Sequence, residues 1–170
     1  MKPLVWMMPL VLAACALNPK PQPVTVDGFA KARFGDTLST LKKAVGKPLY
    51  GGSDSAAQCQ MLFENPDASQ QFGLAFMVEN GRFVRLDVDS PGYLSPGGIK
   101  VGDPLAKAEQ VFAGRSETLP HKYQAGAQLL VVSDPAWQGK KLVFEAGADG
   151  LVRSWRLGVM PAVLYMERCG

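Results

Sequence analysis

Three cysteines, one histidine and a pair of aspartates two positions apart are the residues of this chain with the most chemistry in reach. Cys15, Cys59 and Cys169 have no spacing that suggests a metal site. A hydrolytic triad or a Cys–His pair would have to use His121, the chain's one histidine. It stands in Leu119-Pro120-His121-Lys122-Tyr123, at an expected strand entry beside a lysine, which reads as a surface position. Gly-x-Ser-x-Gly, phosphate-loop and His-Glu-x-x-His patterns do not occur. Asp87 and Asp89 would share one face of a strand and could serve acid–base work or calcium. A half-buried strand with a charged exterior accounts for them better, with Val84, Leu86 and Val88 on the opposite face. The expectation is no catalytic residue, no metal site and no cofactor.

The elements that must position these side chains follow from periodicity and turn residues. Leu38, Leu41 and Val45 fall three and four apart and predict a helix over 37–45, capped by Asp36 and closed by Gly46 and Pro48. Strands are predicted over 58–64, 72–78 and 82–88. Asn80-Gly81 is a strong hairpin signal between the last two. A Pro/Gly/Ser-rich boundary spans residues 90–100. The pattern then restarts: Val101-Gly102-Asp103-Pro104-Leu105 echoes Phe34-Gly35-Asp36-Thr37-Leu38, with Asp103 as the cap. Strands at 128–133 and 141–145 lead through Asp149-Gly150 into 151–159, echoing Asn80-Gly81. On the hairpin strands, Arg85 and Asp87, with Ser154 and Arg156, would project away from the core, while Trp155 and Leu157 face in with Leu86 and Val88. Tyr93 would sit at the junction. Arg85, Asp87, Tyr93 and Arg156 are therefore the candidate partner-binding residues, since arginine and aromatic side chains on a sheet face suit protein recognition.

At the start of the chain, Lys2 precedes the apolar run Leu4 to Leu12, and small residues lead to a cysteine in Leu12-Ala13-Ala14-Cys15. A positive start and a short apolar middle make a secretory signal. The ending resembles the lipobox of bacterial lipoproteins. That resemblance implies cleavage after residue 14, acylation of Cys15 and a membrane anchor. With Ala16 rather than Asp after the cysteine, it favours the periplasmic face of the outer membrane. Pro19, Pro21 and Pro23 then read as a semi-rigid tether.

In an oxidising compartment the two remaining thiols, Cys59 and Cys169, are expected to pair, buried reduced thiols being the alternative. The formal charge of +3 falls to +2 once Lys2 is removed, which lends no support to a nucleic-acid partner.

The Gly-Asp-x4-Leu-x3-Val-Gly-x-Pro run from Gly35 to Pro48 resembles an α/β repeat. That repeat occurs once in the outer-membrane assembly lipoprotein BamE (SmpA) and twice in β-lactamase inhibitory protein. The chain departs from it in having Asp36 and Asp103 where methionine often stands, and Gly114 is followed by Arg115-Ser116 rather than the closing Gly-x-Pro. The expected fold class is α+β, two similar helix-plus-antiparallel-sheet repeats packed as one unit. The expected division is a signal peptide over 1–14, the lipidated cysteine and tether over 15–32, repeat units over 33–89 and 101–170, and a linker over 90–100. The expected function is that of a non-catalytic, lipid-anchored module that binds an envelope protein in assembly or maintenance. An enzyme inhibitor and a small-ligand carrier are the alternatives.

Overall fold

A computed structural model describes residues 21–52 and 58–169. The signal segment, Cys15 and the tether up to residue 20 lie outside the described residues, as does part of the loop expected over 51–55. The elements, in order, are β1 (Gln22–Pro23), β2 (Gly28–Phe29), β3 (Ala32–Arg33), α1 (Leu38–Val45), β4 (Tyr50–Gly51), β5 (Cys59–Phe63), β6 (Leu74–Glu79), β7 (Arg82–Val88) and β8 (Tyr93–Leu94). They continue with α2 (Leu105–Val111), β9 (Ser116–Pro120), β10 (Gln128–Ser133), β11 (Lys141–Ala146) and β12 (Val152–Gly158). None of the described helices is long and apolar enough to cross a membrane.

Eight strands form one antiparallel sheet in the order β4-β5-β6-β7-β12-β11-β10-β9. This corrects the expected fold class. The helices have only eight and seven residues, and the sheet runs unbroken because β7 and β12 pair at its centre. There Trp155 lies opposite Val88, Arg156 opposite Asp87, and Leu157 opposite Leu86. The layout is a single large sheet with short helices as cover, not a pair of helix-plus-sheet units. Within residues 90–100, Tyr93, Ser95 and Ile99 are buried, and β8 pairs in parallel with β1. Pro23, the last proline of the tether, is thereby drawn onto the fold.

Side-chain alternation sets the two faces. Leu62, Leu74, Phe76, Val78, Phe83, Leu86 and Val88 join Leu130, Leu142, Phe144, Trp155 and Leu157 in one apolar cluster. Leu41 and Val45 of α1, Leu105 and Ala108 of α2, and Phe29 and Ala32 of the β2–β3 hairpin cover it. A register shift at Met77/Val78 leaves Val84 as an extra residue opposite β6. The shift turns Phe83 inward beside Leu86 and gives Val84 to the other face, so the expected Val84–Leu86–Val88 stripe is corrected at its first member.

Capping also differs from expectation. Thr37, not Asp36, caps α1 by accepting the Thr40 N–H at 3.3 Å, while Asp36 accepts from Arg33 N–H at 2.8 Å in the preceding turn. Pro104 stands at the N-cap of α2 with no side-chain bond. Asp103 instead accepts from Lys100 N–H at 3.1 Å and Lys107 Nζ at 2.8 Å. Asn80 and Gly81 both have positive φ, 49° and 75°, as the tightest hairpin turn requires.

The second face of the sheet is covered as well. Residues 159–169, containing a 3-10 turn at Ala162–Leu164, lie across it as a strap. Ala162 packs with Met61, Phe72, Ala75 and Met77, and Val163 packs with Leu129, Val131 and Val143. The expected disulfide is present: Cys59 on β5 and Cys169 at the end of the strap are joined at 2.04 Å.

Candidate functional site

The candidate residues sit under that strap. Arg85 and Arg156 are on neighbouring central strands, and the strap places both out of solvent, at 1% and 4% exposure. They are not the open recognition surface that alternation alone predicts. Arg85 grips Asp87 with two nitrogens, Nε to Oδ2 at 2.9 Å and Nη2 to Oδ1 at 2.5 Å. Its remaining nitrogen donates to the strap carbonyls of Ala162 at 3.1 Å and Tyr165 at 2.8 Å. Arg156 donates Nε to Val163 O at 2.7 Å, Nη1 to Glu145, and Nη2 to the Met166 sulfur at 3.7 Å. Burial is the main force pushing the Arg156 guanidinium below its ordinary pKa. The charge of Arg85 adds to it, and Glu145 and Asp87 oppose it.

This is a layer of paired charge between two apolar clusters. Removing a guanidinium from water is costly, and paired geometry with satisfied lone pairs is what makes it tolerable. The strap supplies part of that satisfaction through main-chain carbonyls. It leaves a recess of about 340 Å³ at its edge, lined by Phe72, Glu145, Ser154, Arg156, Met166 and Arg168 among others.

Tyr93 is separate from this group. Its hydroxyl donates to both oxygens of Glu64 at 2.6 Å and receives Lys47 Nζ at 3.1 Å. Its ring meets Phe29 edge-on at 5.6 Å. Burial, then the hydrogen bond to Glu64 and its charge, hold the phenol protonated far above its usual range. Of the four candidate partner-binding residues, the structure brings Arg85, Asp87 and Arg156 together and leaves Tyr93 elsewhere. All four are buried.

The remaining sequence candidates have structural partners. Asp89 accepts Phe72 N–H at 3.0 Å and Gly73 N–H at 2.7 Å, while burial raises its pKa. His121 Nδ1 accepts the N–H groups of Tyr123 and Gln124 at 3.1 and 3.2 Å in an exposed turn. Among the described residues no group of three or more His, Cys, Asp or Glu side chains is placed to hold a metal ion.

Alternation did not disclose the strap, although the strands carried a signal for it. Residues 74–78, 129–132 and 142–144 are apolar without a break, the pattern of strands covered on both faces.

No protein-family model matches this chain, and no curated protein matches it. Two solved structures are similar to it. One is an extracellular protein containing a SCP domain from Bacillus anthracis str. Ames, at 12% identity and a TM-score of 0.51, over 76% of this chain and 45% of that one. The chain thus spans less than half the length of that protein. The other is the protein yfeY from Escherichia coli, at 14% identity and a TM-score of 0.50, over 82% of this chain and 99% of that one. At such identities the likeness is one of fold alone: this chain shares its architecture with an extracellular SCP-domain protein and with yfeY.

Proposed function

We propose that this chain is a non-catalytic lipoprotein of the outer membrane, held by acylated Cys15, whose folded part binds an envelope protein in the periplasm. The observation that carries the binding part is the outer surface of the strap. Met160, Leu164 and Tyr165 each stay about 40% exposed there, at 44%, 39% and 39%. Beside them Tyr123, from the β9–β10 loop, touches Glu167 of the strap. Large apolar and tyrosine side chains grouped on one segment suit a protein contact. The Cys59–Cys169 bond supports an oxidising compartment and therefore export. The commitment of Asp87 to Arg85 and of His121 to its own turn favours a role without catalysis.

The test is a crosslinked pull-down from the cell envelope, comparing the native chain with Cys15→Ser and with Leu164→Ala/Tyr165→Ala. Cys15→Ser is expected to leave the membrane fraction, and unchanged attachment would refute the lipoprotein reading. Capture of an outer-membrane β-barrel or assembly factor that the strap variant loses would support the assembly role. One soluble enzyme captured by the native and the Cys15→Ser forms alike would replace it with inhibition. Capture unaffected by the strap variant would overturn this docking surface.

A further inference from the structure

We infer that the recess beside the strap is a binding site for a small organic carboxylate carrying an apolar group, a site independent of the protein contact above. Its charged lining is unevenly matched. Arg85 is engaged on every nitrogen by Asp87 and by two strap carbonyls, and Glu145 is held by Arg156 Nη1 and by Ser154 Oγ at 3.2 Å. Two guanidinium groups keep capacity. Arg156 Nη2, well below the surface, has a thioether sulfur as its partner at 3.7 Å, a weak acceptor where an oxygen would be a strong one. Arg168, at the mouth, forms no ion pair among the described residues. Its guanidinium carbon stands over the Phe72 ring, 4.2 Å from the centroid. Asp89, outside the lining, feels the Arg168 charge, and its oxygens accept two backbone N–H groups.

In the lining itself three guanidinium groups face two carboxylates, with Asp89 outside it but within reach of the Arg168 charge. A monoanion adds the least negative charge beside Glu145, Asp87 and Asp89, whereas a dianion would add more than Arg156 and Arg168 can offset. A planar carboxylate also matches the fork of a guanidinium. Phe72 and Met166 belong to the apolar part of the lining, against which an apolar group beside the carboxylate would sit. A volume of about 340 Å³ admits a small molecule only, at the lower end of the usual ~300–1,000 Å³ for such sites.

The test is a titration of the disulfide-intact chain with benzoate, followed by backbone amide and methyl NMR shifts, with neutral benzamide and inorganic phosphate in parallel. Benzoate is expected to give saturable shifts at Ser154, Arg156 and Met166, with benzamide and phosphate at least tenfold weaker. Arg168→Gln, an exposed position, is expected to weaken benzoate at least tenfold while its spectrum otherwise overlays the parent. Benzamide equal to benzoate would overturn the charge argument, and phosphate equal to benzoate would overturn the carboxylate class. Absence of saturable shifts in the unmodified chain, or full retention in Arg168→Gln, would remove the site.

Discussion

Arg85 Nη1 lies 2.8 Å from the carbonyl oxygen of Tyr165, so a cation buried on a central strand holds a segment that follows it by 80 positions. The same guanidinium binds Asp87 through its other two nitrogens. One side chain therefore neutralises a buried carboxylate and fixes the cover that keeps both out of water. The apolar contacts of Ala162 and Val163 complete that cover on either side of the arginine pair.

Arg85→Met should cost roughly 3–5 kcal/mol, because it leaves Asp87 charged and buried with its main partner gone. Urea unfolding at neutral pH measures it. Arg85→Met/Asp87→Leu should regain much of the loss, since an apolar pair of similar volume needs no solvation. A double variant no more stable than the single one would mean that the strap carbonyls, rather than the carboxylate, make Arg85 necessary.

Cys59→Ala/Cys169→Ala opens a loop with a sequence separation of 110 and should cost up to roughly 4–5 kcal/mol on the chain-entropy account. Its local mark is faster hydrogen exchange at Val163 and Leu164, whose N–H groups bond within the strap to Val159 O and Pro161 O. Exchange at the parent rate would assign the hold on the strap to the two arginines and the apolar contacts of Ala162 and Val163. Mass mapping without reductant should recover Cys59 and Cys169 in one linked peptide.

Local signals were legible where they are decided locally. Asn80-Gly81 fixed the β6–β7 turn, and the three-and-four spacing of Leu38, Leu41 and Val45 fixed α1. Alternation correctly turned Leu86, Val88, Trp155 and Leu157 inward. What alternation cannot report is what covers the opposite face. Arg85, Asp87 and Arg156 were placed on the correct side of the sheet but read as open, because charge on a strand ordinarily means solvent. Only the strap, whose contacts span some 80 residues, reverses that. β9 escaped notice for a related reason: Ser116–Pro120 is exposed along most of its length and has no apolar stripe. The fold class was misread because the pairing of β7 with β12 is a long-range event, and it makes one sheet out of stretches that look separable in order.

Gly158→Ala should disturb that central seam directly. Gly158 lies opposite Arg85, and a Cβ there would stand 2.5 Å from Val84 O and 2.9 Å from Arg85 Cα, both backbone atoms that cannot swing aside. Overpacking of this kind costs about 1–3 kcal/mol and moves the strands apart. The expected signature is a lowered unfolding midpoint with faster exchange at Val159, whose N–H bonds Val84 O at 2.9 Å. A neutral substitution would mean that the β7–β12 seam has slack at the bulge.

Asp103→Asn tests the turn that opens α2, and its effect should depend on pH in a stated direction. Burial alone would raise the Asp103 pKa. The hydrogen bond from Lys107, the Lys100 N–H and the charges of both lysines outweigh it and hold the carboxyl below its ordinary range. A carboxylate with a folded-state pKa below its unfolded value adds stability above the unfolded pKa, near 4, and loses it as pH falls through the folded value. Lys107 is half exposed, so solvent screens the pair and the contribution at pH 7 should be only about 0.5–1 kcal/mol. Urea unfolding of the parent and Asp103→Asn should therefore differ at pH 7 and draw closer at about pH 2.5, as the carboxyl takes up its proton. Asparagine can still accept the Lys100 N–H through its amide oxygen, so any difference that persists in acid belongs to turn geometry. An equal gap at both pH values would show that Asp103 acts as a turn former, and that its charge contributes nothing to the start of α2.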